Sequence, residues 1–199
     1  MRGRKGAIAG ILFAGIGAVT WQPPVNAVTL RPTSQLWVDG KSTIRDWTCK
    51  ATSIQSVLDA QGEDPVRLVL SGERAIRSVE LSVPIDKMDC GNGTMKEHMM
   101  KALKAPANPN ITFRLESYDL KESDSGQKAT LNGSLKIGGV AKPIVLIADI
   151  VEASDGALRV TGTYDLVMTE YGVKPPSLML GTMKVKDRVT VGFDLLLDR

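Results

Sequence analysis

The sequence predicts an all-β fold, an eight-stranded antiparallel β-barrel accompanied by one short amphipathic α-helix. Long stretches alternate apolar and polar residues, the connections between them are short, and one stretch alone has helical periodicity. About eight such strands can close on themselves, which removes the exposed edges of the sheet. Alternation alone leaves open whether the barrel is filled with side chains or holds a ligand.

The first predicted strands lie on either side of a turn at Gly40. Residues 35–39 and 42–52 form this pair, and Trp37, Ile44 and Trp47 are its apolar anchors. A further alternating strand covers 77–83, where Pro84 and the following turn residues stop it.

A helix is predicted after this strand. Thr94 and Glu97 have the spacing of a capping box, in which each side chain bonds an amide that the first turn leaves unpaired. Pro106 ends the helix. The apolar residues recur at every fourth position and therefore share one face: Met95, Met99 and Leu103.

From Asn110 onwards the alternation is continuous. The segments that show it are 110–117, 131–137, 144–150, 158–166 and 189–197. Gly133 and Gly162 fall on the inward faces, where a missing side chain leaves room or permits a bend.

Residues 1–27 have the pattern of a secretory signal peptide. A basic start precedes an apolar stretch from Ala7 to Val19, and small residues lead to Ala27. We expect cleavage after Ala27, which leaves 28–199 as a single domain that is periplasmic or secreted. An uncleaved membrane anchor is the alternative, although the apolar stretch is shorter than the roughly 20 residues that span a bilayer.

The formal charge of +3 resides in this leader, which contains Arg2, Arg4 and Lys5 and no acidic residue. The rest of the chain therefore has no net charge. A nucleic-acid partner is not expected, because neutralising phosphates requires an excess of Lys and Arg.

Both cysteines, Cys49 and Cys90, lie in the part of the chain expected to be exported. Oxidising conditions there favour a disulfide between them. Two free thiols or two metal ligands are the alternatives.

Several stretches together resemble a known family. They are 97–99 in the helix, 109–113 with Ser117, 131–140 with Lys142 and Pro143, and 189–195. In this order they are similar to the YceI-like family of periplasmic or secreted polyisoprenoid-binding proteins. The resemblance implies a lipocalin-like barrel whose interior takes a long isoprenoid tail, with an α-helix near the mouth. Residues 45–49 and 171–176 depart from the commoner pattern, which indicates a separate branch.

Given this resemblance, the inward-facing residues become candidates for the lining of a lipid tunnel. The alternative is an ordinary filled core, in a barrel that acts through its surface. The candidate ligand-binding residues are Met95, Met99, Leu103, Phe113, Leu115, Leu131, Leu135, Tyr164, Leu166 and Phe193.

Other sites are weaker candidates. Residues 91–94 could hold a ligand head group, aided by Lys96, or could simply cap the helix. Because His98 is the only histidine and no Gly-x-Ser-x-Gly motif occurs, neither a multi-histidine metal site nor a hydrolase is expected. Methionines could instead bind Cu(I), with His98 as a further ligand. The methionines concerned are Met95, Met99, Met100, Met168, Met179 and Met183.

Together these observations predict an exported, non-enzymatic binding protein without a cofactor and without a membrane span. We expect it to sequester or carry a long apolar ligand, an isoprenoid of the quinone or polyprenyl type. A soft-metal module and a filled barrel that acts as a surface interaction protein are the alternatives.

Overall fold

A computed structural model describes residues 28–178 and 182–198. The predicted signal peptide, residues 1–27, lies outside the described residues. Within the described ranges, no helix combines the length and apolar character needed to cross a bilayer.

Antiparallel strands make up most of the described chain. In chain order they are β1 (Thr29–Leu30), β2 (Gln35–Ser42), β3 (Asp46–Ala51), β4 (Gln55–Ala60), β5 (Ile76–Pro84), β6 (Met88–Asp89), β7 (Asn110–Ser123), β8 (Gly126–Ile137), β9 (Val140–Glu152), β10 (Leu158–Val167), β11 (Ser177–Leu178) and β12 (Met183–Asp198). The helices are α1 (Pro65–Leu70) and α2 (Gly93–Ala102), with short 3₁₀ turns at Ile85–Lys87 and Met168–Tyr171.

The strands form one curled antiparallel sheet. Its main path runs β4-β5-β7-β8-β9-β10-β12-β2-β3-β6, and β1 and β11 both pair with β12 beside this path. The predicted all-β antiparallel barrel is therefore confirmed, but the described chain has more strands than the eight predicted. The additional strands are β4 and the two-residue strands β1, β6 and β11. Strands of two residues are too short to show alternation.

The two ends of the sheet path are joined by local contacts. After β5 the chain passes through Ile85–Lys87 into β6, which pairs with β3. The backbone N–H and the hydroxyl of Thr52 both donate to the Lys87 carbonyl at 2.8 Å. Beside them, a disulfide links Cys49 of β3 to Cys90, as predicted. These contacts hold the curled sheet closed.

The helices contact opposite ends of the same strands. Helix α1 buries Val66 and Val69 against Ala129 and Ala148 of β8 and β9. Helix α2 packs on the other end, in clusters with Ile137 and other residues. The barrel therefore has two chemically distinct ends.

Helix α1 is absent from the sequence prediction. It has only six residues, too few to show a helical period. Its start signal is nevertheless present, because Asp64 caps the helix by accepting from the Arg67 N–H and Pro65 follows at the first helical position.

Helix α2 is confirmed, but its predicted capping box is wrong. The cap is Asn92, whose side-chain oxygen accepts the Met95 N–H at 3.1 Å, and the helix therefore begins at Gly93. It ends at Ala102, before Pro106.

Loss of the disulfide should destabilise the protein. The bond closes a loop between positions 41 residues apart, for which the chain-entropy model gives about 4 kcal/mol. Reduction with a dithiol should lower the free energy of urea unfolding by about this amount. The double variant Cys49→Ala/Cys90→Ala should show the lower stability without reductant and no further response to it. An unfolding midpoint that is the same with and without the disulfide would contradict this role.

Candidate ligand-binding cavity

The interior of the barrel holds a cavity of about 600 Å³. This volume is within the usual range for sites that bind small molecules. Inward-facing residues such as Leu131, Leu146 and Val160 pack against core residues on one side, but they are only partly buried because they also face the cavity. The barrel is therefore hollow.

All the candidate residues predicted from the inward faces line this one cavity. They are Met95, Met99, Leu103, Phe113, Leu115, Leu131, Leu135, Tyr164, Leu166 and Phe193. Seven of them were predicted from the period-two pattern of the strands, and Met95, Met99 and Leu103 from the four-residue spacing of the helix. Contact with a ligand remains a prediction for each of them.

Two glycines make room for aromatic rings in this wall. A Cβ on Gly133 would lie 2.6 Å from the Phe113 ring, and one on Gly162 would lie 2.5 Å from the Phe193 ring. Each ring therefore lies against the backbone of the neighbouring strand. This placement keeps the bulk of the rings out of the centre of the barrel.

The end of the cavity beneath α1 is almost entirely apolar. Val69 of α1 lines it there. Polar groups near this end are satisfied within the protein: the Tyr118 hydroxyl accepts the Ile76 N–H at 3.0 Å, and the Gln127 side-chain amide donates to the Leu70 carbonyl at 3.2 Å. The first bond joins β5 to β7, and the second fixes α1 to β8, so these buried polar groups are satisfied.

The cavity opens at the other end, beside α2. The lining residues that are exposed to solvent are Arg45, Asn92 and Thr94, in the turn between β2 and β3 and at the start of α2. Half-buried Ser42 and His98 line the cavity at the same place. The opening is therefore polar, whereas the remainder of the wall is apolar.

Part of the segment predicted to hold a head group lies at this opening, whereas Lys96 does not. Asn92 and Thr94 do lie at the opening, but the Lys96 ammonium donates to the Asp86 carbonyl at 2.6 Å and does not line the cavity. The helical period directs Lys96 away from the face that carries Met95 and Met99.

Trp47 of β3 lies on the wall close to this opening. Its ring covers Gly40, where a Cβ would lie 2.0 Å from a ring carbon. It packs with Val38 and Met99. The indole N–H is buried and has no hydrogen-bond partner within the described part of the chain. An unsatisfied buried donor of this kind is unfavourable in an apolar setting.

Tyr171 adds a neutral phenol to the wall. Burial raises its pKa to about 12, and the neighbouring Tyr164 and Glu170 contribute further. The Lys142 ammonium lies 5.9 Å from the centre of the ring, as in a cation–π contact. The Tyr171 phenol is therefore neutral at neutral pH.

The alternative prediction was a metal site, for which the structure can be searched for clustered ligands. Among the described residues, no group of three or more His, Cys, Asp or Glu side chains is placed to hold a metal ion. Met95, Met99, Met168 and Met183 line the cavity among other apolar residues, Met100 does not line it, and Met179 lies outside the described residues.

Arg45, Trp47 and His98 are lining residues that the sequence prediction did not include. A signal was present for the first two, because Arg45, Trp47 and Cys49 are spaced by two and therefore share the inward face of the strand. For His98, the helical face of Met95 and Met99 is the corresponding indication.

The comparisons with known proteins agree with this geometry. A family model, the YceI-like domain, matches residues 33–197, so the chain belongs to the YceI-like family. No curated protein sequence is a significant match to the chain.

Similar solved structures show the same fold. A polyisoprenoid binding domain from Saccharophagus degradans, implicated in plant cell wall breakdown, matches with a TM-score of 0.65 at 12% identity, covering 87% of this chain and 98% of its own. BcnA from Burkholderia cenocepacia matches with a TM-score of 0.63 at 14% identity, covering 82% and 95%. A YceI protein from Campylobacter jejuni matches with a TM-score of 0.55 at 17% identity, covering 76% and 84%.

A side chain at Gly40 should disturb the wall of the cavity. The variant Gly40→Ala places its methyl group within the Trp47 ring, so the ring must move. We expect about 1 to 3 kcal/mol of destabilisation, the usual cost of overpacking, together with a change in tryptophan fluorescence. Gly93→Ala is the control, because a Cβ at that helical position meets nothing within 4 Å. Equal stability of Gly40→Ala and wild type would show that Trp47 is not held against β2.

Proposed function

We propose that this protein is an exported, non-enzymatic carrier that binds one long apolar molecule, of isoprenoid type, inside the barrel. The observation that carries this proposal is the hollow interior of about 600 Å³, with an apolar wall and a polar opening at one end. A filled barrel would have its inward side chains packed against each other, and it would offer a ligand only its outer surface.

Burial of the tail can supply the affinity. At about 0.8 kcal/mol per buried CH₂, each five-carbon isoprene unit contributes roughly 3 to 4 kcal/mol before the entropy of immobilisation is subtracted. Micromolar binding corresponds to about 8 kcal/mol, so a few units are sufficient. The wall need not make specific polar contacts along the tail.

The likeness to other proteins supports the same class of ligand. One structural neighbour is a polyisoprenoid binding domain, and the family model covers most of the chain. The linear shape expected of an isoprenoid also suits a cavity that runs between the two ends of the strands.

Export is supported by two independent features of the chain. Residues 1–27 have the pattern of a secretory signal, and Cys49 and Cys90 form a disulfide, which is characteristic of oxidising compartments. We propose a periplasmic or secreted protein, in which the barrel shields an apolar molecule from water.

A pair of adjacent substitutions tests the location of the ligand. Leu146 of β9 lines the cavity opposite Leu131 of β8, whereas its neighbour Val145 faces solvent with 54% of its surface exposed. We expect Leu146→Trp to weaken binding of the isoprenoid alcohol geranylgeraniol about tenfold or more, because the indole occupies the path of the tail. Val145→Trp should bind as the wild type does.

Equilibrium dialysis with radiolabelled geranylgeraniol measures the affinity, and thermal unfolding checks that both variants fold. No saturable binding by the wild type would contradict a carrier of isoprenoids. Equal weakening by Leu146→Trp and Val145→Trp would indicate that the ligand does not occupy the interior.

A further inference from the structure

The opening of the cavity carries a distinctive set of charged groups. Among the described residues that line the cavity there is no carboxylate, and the side chains able to carry a positive charge are Arg45 and His98. Both lie at the opening: Arg45 precedes β3, and His98 belongs to α2.

Arg45 is available to bind a ligand. Its side chain is exposed and forms no ion pair or side-chain hydrogen bond within the described ranges. The adjacent carboxylate of Asp46 is paired with Lys41 at 4.0 Å instead.

The backbone that carries Arg45 is fixed by Ser42. The Ser42 hydroxyl donates to the Arg45 carbonyl at 2.8 Å and accepts the Arg45 N–H at 3.1 Å. The guanidinium therefore extends from an ordered turn, which lowers the entropy lost on binding.

A hydrogen-bond donor accompanies this positive charge. Thr94 of α2 contributes a hydroxyl at the rim. A guanidinium can only donate hydrogen bonds, so its complement is a group rich in acceptor oxygens.

We propose that the opening binds the negatively charged head group of the ligand, with Arg45 as its principal partner. This inference rests on the proposed function, because a tail that occupies the apolar interior leaves its polar end at the opening. The ligand class is then an amphiphile with one long apolar chain and a terminal oxyanion, such as a phosphate, diphosphate or carboxylate. A neutral alcohol with the same tail binds through the tail alone.

A matched pair of ligands tests this inference on the full chain. Geranylgeranyl diphosphate and geranylgeraniol share one tail and differ only in the head group. At low salt we expect the diphosphate to bind about tenfold more tightly, since charge-assisted hydrogen bonds are stronger than neutral ones. The preference should decline as salt is added, because the opening is exposed to solvent.

The variant Arg45→Gln should reduce this preference to about threefold or less, corresponding to the loss of one charged contact at an exposed site, while the affinity for the alcohol stays unchanged. Arg67→Gln is the matched control. It removes the same charge from an exposed arginine of α1 at the far end of the barrel, and it should retain the full preference.

The outcomes separate the two proposals. Equal affinity of the wild type for both compounds, or a full preference in Arg45→Gln, would overturn the head-group inference while leaving the carrier function in place. If neither compound binds, both the carrier function and the head-group inference would be overturned.

Discussion

Closure of a curled sheet around a volume that its own side chains do not fill is the constraint on which this structure depends. The closing contacts are few: the pairing of β3 with β6, two hydrogen bonds from Thr52 to the Lys87 carbonyl, and the Cys49–Cys90 disulfide. An open seam would expose unpaired strand edges and admit water to the apolar interior. Cys49 of the disulfide belongs to the buried cluster against which Met95 and Met99 of α2 pack. Closure of the sheet and placement of the helix are therefore coupled.

The two ends of the barrel differ in polarity. Helix α1 lies at an apolar end whose nearby polar groups are satisfied internally, whereas α2 and the β2–β3 turn frame a polar opening. Under the proposed carrier function, a molecule with one long apolar part would place that part in the interior and its polar end at the rim. Glycines opposite Phe113 and Phe193 let these rings lie against the strands, so aromatic surface lines the interior without obstructing it. Under the same proposal, the shape and polarity of the cavity would set the orientation of the ligand.

The sequence predicted the wall of the barrel well because alternation persists over the long strands, and each inward residue can be read from its neighbours. Phe113 and Leu135 illustrate this, since both lie where their spacing indicates. The sequence did not predict α1, which is too short to show a period, or the cap at Asn92, where two polar residues competed for the same role. The sequence also could not predict that the barrel is hollow, because apolar and polar residues alternate in the same way in filled and hollow barrels. The same holds for Trp47, whose unsatisfied N–H becomes evident only when its neighbours in space are known.

Native mass spectrometry of the full chain, isolated from cells that make isoprenoids and then saturated with added long-chain isoprenoid, tests the central claim most directly. The account predicts one adduct per chain, with the mass of a long apolar molecule, that organic extraction removes while the disulfide-bonded chain stays intact. A spectrum that contains only the mass of the free chain, even after saturation, would contradict the account.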